Sequence, residues 1–161
     1  MDKYKNLYIN GCSYTFGHSL SEELTWPYML SKKLDIDTFI NDSQNANSLD
    51  TIMDISFFNL LNLNPKDTLV VIGLTWIPRF AITYVKSLLL HDANFTQNLK
   101  IKYIKSIILM QNYLENNNFN YYFIKFQNDA WEDPNLDSLY NNINLDKIID
   151  LQNIDKDKLT S

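Results

Sequence analysis

Apolar and polar positions along this chain fall into two alternating rhythms. Short runs rich in β-branched and aromatic residues occur at 5–9, 38–40, 68–73 and 120–126, and the third, Thr68-Leu69-Val70-Val71-Ile72-Gly73, is the strongest. Between them apolar residues recur at helical spacing, as Trp26, Leu30 and Leu34, then Ile52, Ile55, Phe58 and Leu61, then Tyr103, Ile107, Met110 and Leu114. The first rhythm predicts strands and the second predicts helices near 26–34, 48–63 and 99–115. Local punctuation agrees. Thr25 can cap the first helix with Pro27 tolerated in its first turn, Asp50 and Asp54 lie early in the second where its dipole favours them, and Asn116-Asn117-Asn118 stops the third. Pro65-Lys66-Asp67 makes a turn, and the acidic stretch Leu145 to Leu151 reads as helix-like. Strands separated by helices imply parallel crossovers, hence an α/β chain folded as a three-layer α/β/α sandwich with 68–73 central and covered on both faces.

Composition narrows the class. With 161 residues, 45% hydrophobic and 14% aromatic, residues 1–161 read as a single domain with a real core, and 3 Gly and 4 Pro argue against linkers. A net charge of -5 gives no electrostatic footprint for nucleic acid, so none is expected as a partner. The single cysteine, Cys12, excludes an internal disulfide framework and a thiolate zinc cluster, and fits a reducing, cytoplasmic compartment. No apolar run approaches a membrane span, and nothing calls for a cofactor or a metal.

The heptapeptide Gly11-Cys12-Ser13-Tyr14-Thr15-Phe16-Gly17 carries the chemistry. Ser13 falls just past the C-terminal end of the first strand, the edge where ligands bind in open α/β sheets. Flanking glycines let the backbone approach a substrate closely and aim the Ser13 amide at a developing oxyanion. The spacing suits a serine nucleophile; a glycine-bounded turn in which Ser13 and Thr15 bond their own backbone is the alternative.

This segment resembles the first block of the SGNH, or GDSL, hydrolase superfamily, Gly-Asp-Ser-x-Thr-x-Gly, at every fixed position except Cys12, and its Gly-Cys-Ser form is similar to a variant of virus- and phage-encoded members. The resemblance implies a flavodoxin-like parallel sheet and Ser13 as nucleophile. It places Asn41-Asp42-Ser43-Gln44-Asn45-Ala46-Asn47-Ser48 at the second block, with Ala46, or else Asn45 or Asn47, opposite the glycine whose amide donates to the oxyanion. A backbone donor needs no glycine if its dihedrals are ordinary. As a plain loop, the same stretch would offer Asn47 or Ser48 as N-cap. Gly73-Leu74-Thr75 falls at the third block with Thr75 in place of an Asn, and a threonine hydroxyl also donates one hydrogen bond. The oxyanion set implied is Ser13, Ala46 and Thr75. Trp76 and Arg79 are the substrate-binding candidates; Arg79, the only arginine, suits a carboxylate or phosphate, or else an ion pair with a nearby acid.

The family's Asp-x-x-His, source of the base, has no counterpart in this sequence. Its two histidines are His18 and His91. Neither is expected to serve Ser13, His91 because its connection is distant and His18 for want of an orienting carboxylate; Asp129, Asp133 and Asp137 are the other candidates. Either the chain is a truncated form of a longer protein or the base has been lost. The leading reading is thus an SGNH-like serine ester hydrolase acting on a small-molecule or carbohydrate O-acyl ester with its base unidentified. The alternative is a non-catalytic binding or virion-associated module on the same fold, and a nucleotide binder using the first loop as an anion nest ranks third.

Overall fold

The computed structural model describes residues 4–76, 93–126 and 133–152. Five strands, β1 (Asn6–Asn10), β2 (Thr38–Asn41), β3 (Thr68–Leu74), β4 (Asn120–Lys125) and β5 (Ile148–Asp150), form one sheet in the order β2-β1-β3-β4-β5. Every pairing is parallel. The helices are α1 (Ser13–Phe16), α2 (Trp26–Lys33), α3 (Leu49–Leu60), α4 (Ala93–Asn116) and α5 (Asp137–Tyr140).

Period-two alternation divides the core. Leu7, Ile9, Leu69, Val71 and Ile124 face α2, whose Trp26 and Leu30 pack on them with Leu34 just beyond. Tyr8, Val70, Ile72, Leu74, Tyr121 and Phe123 face the other way, onto Leu49, Ile52 and Leu60 of α3 and Tyr103, Ile107 and Met110 of α4. Helices thus cover both faces, and β3, buried along its whole length, is central, as a continuous apolar run demands. Thr25 caps α2 by accepting from the Tyr28 amide, and Ser48 caps α3 by accepting from the Thr51 amide.

Three features depart from expectation. The stretch 145–151 is no helix: after a 3₁₀ turn at Leu145–Lys147, capped by the Asn144 side chain, Ile148–Asp150 adds a fifth parallel strand beside β4. Pairing with a neighbouring edge overrides the local helical pattern there, and Lys125 Nζ, 2.8 Å from Asp150 Oδ2, ties the two strands together. The second departure is α1, a single turn just after β1. The third is the face of α3: Phe58 and Leu61 of the expected stripe are exposed, and Leu49, Met53 and Leu60 are buried with Ile52 instead, because the helix is apolar on more than one side and its packing on β3 and α4 selects the face.

Candidate active site

The C-terminal edge of the sheet gathers the loops that follow β1, β2, β3 and β4. At the end of β1 the Asn10 side chain is fully buried. Its Oδ1 accepts from the Gly11 amide at 2.7 Å, while Nδ2 donates to the Ile52 carbonyl and to Ser56 Oγ, both at 3.0 Å. Tyr8 joins this network through Ser56, and burial pushes its phenol well above the usual range, so that it stays neutral. The chain therefore leaves β1 in a fixed direction. Asn10 is a site residue that sequence reasoning passed over; a polar residue closing an apolar strand was the available signal.

Cys12 then caps α1, its carbonyl accepting from the Thr15 and Phe16 amides at 2.9 and 2.8 Å, and its thiol is buried in the core. Ser13 is the first residue of the turn and half-buried. Amides at the start of a helical turn have no partner within it, and Ser13 N–H is one of these. Thr15, two residues further, is wedged between Gly11 and Gly73. A Cβ on Gly11 would stand 2.6 Å from Thr15 Cβ, and one on Gly73 would overlap Thr15 Oγ1 and come within 3.1 Å of Phe126. Only glycine fits at either place, and this wedge joins the Ser13 turn to β3.

The loop after β2 is tied to the same turn. Gln44 N and Asn47 Nδ2 both donate to the Gly11 carbonyl, at 3.2 and 3.4 Å. Between them lies Ala46, exposed, with φ of 63°. That conformation is left-handed, not ordinary, which is where a glycine would sit without strain. Thr75 directly follows β3. Its carbonyl accepts from the Tyr103 hydroxyl at 2.9 Å, whereas its own Oγ1, 3% exposed at the residue level, has no hydrogen-bond partner among the described residues. Trp76 is next and half-exposed. Arg79, His91 and Asp129 lie outside the described residues.

An aromatic wall completes the edge. Tyr14 stacks on Phe126, ring centroids 5.5 Å apart, and its carbonyl accepts from Trp26 Nε1 at 3.2 Å. Nothing in the chain's periodicity marks Tyr14 and Phe126 as partners. Among the possible bases, Asp133 is held below the usual carboxylate range, first by the hydrogen bond from Lys100 Nζ at 3.2 Å and further by the Asn135 amide that it caps. A lowered carboxyl is poorly suited to general-base work near neutrality. Asp137 opens α5. His18 has a partner that sequence reasoning missed: its Nδ1 is 2.8 Å from Asn45 Nδ2. Among the described residues no cluster of His, Cys, Asp and Glu could hold a metal ion, and no helix is long and apolar enough to cross a membrane.

As a sequence the chain matches no family model and no curated protein. Among solved structures, it is similar to a G-D-S-L family lipolytic protein from Desulfitobacterium hafniense, with a TM-score of 0.60 and 21% identity over 95% of this chain and 82% of that one. The esterase EstA from Pseudoalteromonas sp. gives a TM-score of 0.57 and 16% identity over 98% of this chain and 84% of that one. A carbohydrate esterase, described as having divergent catalytic and non-catalytic binding functions, gives 0.50 and 15%, over 93% of this chain and 59% of that one. The chain has the fold of the SGNH, or G-D-S-L, lipolytic hydrolases.

Proposed function

We propose that the chain is a serine ester hydrolase in which Ser13 attacks the acyl carbon of a small ester, such as an O-acyl group on a carbohydrate. The observation that carries this reading is the position of Ser13, first in a helical turn at the C-terminal end of β1, on a segment locked to β3 by the Thr15 wedge. In this mechanism the carbonyl oxygen takes on negative charge as the Ser13 Oγ to carbon bond forms. The amides of Ser13 and Ala46 and the Thr75 hydroxyl stabilise that charge, and a buried hydroxyl with no other partner is suited to the task because it needs no reorganisation. Trp76 and Arg79 contact the rest of the substrate. The likeness to esterases of the same fold supports the substrate class. The Gly-Cys-Ser form of the first block and the single cysteine support a virus-encoded, cytoplasmic protein.

The test is turnover of fluorogenic short-chain esters and acetylated saccharides by the protein and by Ser13→Ala, with Ser13 labelling by an organophosphonate read by mass spectrometry. Turnover and labelling that both vanish in Ser13→Ala are expected. Turnover undiminished in Ser13→Ala would remove the nucleophile assignment, and acyl-saccharide binding without turnover or labelling would favour a binding module.

A further inference from the structure

We propose that His18 is the general base for Ser13 and that the Asn45 side chain positions its ring, an inference that rests on the hydrolase reading above. Two independent anchors carry it. The first is the way α1 ends. Gly17, at φ of 76°, closes the turn in the left-handed conformation, and the amides of Gly17 and His18 both donate to the Ser13 carbonyl, at 3.0 and 3.3 Å. In such a closure the backbone of the residue after the left-handed glycine is folded back against that of the residue five positions earlier, which brings the two side chains to the same end of the turn. Those two residues here are His18 and Ser13. Separation by five positions is thus proximity in space.

The second anchor is Asn45. Its amide nitrogen lies 2.8 Å from His18 Nδ1, and Gln44 and Asn47 on either side of it close onto the Gly11 carbonyl, two residues before Ser13. The imidazole is therefore tethered through its backbone to Ser13 itself and through its ring to the loop that carries Ala46. With Nδ1 engaged, Nε2 is the nitrogen left for chemistry. Turning the Asn45 amide by 180° places its oxygen on Nδ1–H and leaves Nε2 unprotonated, the tautomer that a base requires, as where an asparagine orients the catalytic histidine of papain-like enzymes.

The proton balance closes. Nε2 takes the Ser13 hydroxyl proton as Oγ bonds to the acyl carbon, and gives it to the departing alkoxide as the ester C–O bond breaks. It then takes a proton from the attacking water and returns one to Ser13 Oγ when the acid leaves. No further reactant is needed. His18 and Asn45 are both exposed, so a plain surface contact bridging two loops is the competing account.

The experiment compares His18→Ala and Asn45→Ala with the unaltered protein in short-chain ester turnover and in the rate of Ser13 labelling by an organophosphonate. His18→Ala is expected to lower kcat by about 10²- to 10⁴-fold with KM little changed, and added imidazole to restore part of it. Asn45→Ala should lower kcat alone, by a smaller factor, and Asn45→Asp, which keeps the oxygen on Nδ1–H, should restore it. An unchanged kcat in His18→Ala, with Ser13 still labelled, overturns the base assignment while leaving the hydrolase reading intact. An unaltered protein that neither turns over esters nor labels at Ser13 overturns both.

Discussion

The two ends of the parallel sheet are built to different rules. At its N-terminal end the polar groups are closed upon one another. Thr68, fully buried at the start of β3, donates to the Asn64 carbonyl at 2.8 Å and accepts from Asn6 Nδ2 at 3.3 Å, while Asn64 Nδ2 donates to Asp67 Oδ2 and the Asp67 carbonyl accepts from the Lys5 amide. The left-handed positions there fall on Asp35 and Asn118, residue types that tolerate that conformation. The C-terminal end holds buried hydroxyls with no partner among the described residues, Thr15, Ser43 and Thr75, and puts Ala46 in the left-handed region. All three glycines of the chain lie there. Unpaired buried polar groups and strained backbone lower stability, and their concentration at the ligand-binding edge of an α/β sheet is what a functional site produces.

The largest effect should come from the wedge. In Gly11→Ala the new methyl collides with Thr15 Cβ, an atom that no rotamer change moves away. Destabilisation of about 3 kcal/mol is expected, the upper end of ordinary overpacking, measured by urea denaturation. A loss under about 1 kcal/mol would show that the turn has slack.

β3 offers the sharper test, since a threonine stands at each end of it. Thr68→Val breaks two partly buried hydrogen bonds and leaves Asn64 and Asn6 short of a partner, which should cost about 2 kcal/mol without altering turnover per folded molecule. Thr75→Val removes a hydroxyl that has no hydrogen-bond partner among the described residues. It should raise stability by about 1 kcal/mol and lower kcat by about 10²-fold, as for the loss of one oxyanion donor. Equal signs for the two stability changes would erase the contrast between the ends. A stabilised Thr75→Val with full activity would keep the contrast and remove Thr75 from the oxyanion set.

The same contrast explains what could be read from the sequence. Strands β1, β3 and β4 and the faces of α2 and α4 follow from apolar periodicity, because burial against a sheet imposes that periodicity on the chain; α3 is apolar on more than one side, so its periodicity did not single out the face that Leu49, Ile52, Met53 and Leu60 bury. β5 escaped because three residues in an acidic stretch carry no period, and its pairing with β4 is non-local. At the C-terminal edge, the place of Ser13 just past β1 was legible through its flanking glycines. The wedge was not, since it couples Gly11 and Thr15 to Gly73, some sixty positions on. The His18–Asn45 contact, 27 positions apart, joins two exposed polar side chains that leave no pattern in hydropathy. Nor does sequence record that Ala46 adopts a positive φ, a property of the loop closing on Gly11.

Ala46 gives the smallest predicted effect and the most direct measure of strain at this edge. A non-glycine residue in the left-handed region costs about 1 kcal/mol or more, from the approach of Cβ to the backbone. Replacing it by glycine removes that cost and adds back roughly 0.4–1 kcal/mol of unfolded-chain entropy, so the two terms nearly offset with the strain ahead. Ala46→Gly is therefore expected to stabilise the fold by about 0.5 kcal/mol. Because Ala46 is exposed, no packing is lost that would mask so small a gain. The control is Asn118→Gly at the opposite end, where the left-handed residue is one that tolerates the conformation, and where the same substitution should bring little or no gain. Thermal melts of the two variants side by side decide the matter. A gain for Asn118→Gly that equals or exceeds the gain for Ala46→Gly would mean that the active edge stores no special backbone strain, leaving its unpaired hydroxyls as the only difference between the ends of the sheet.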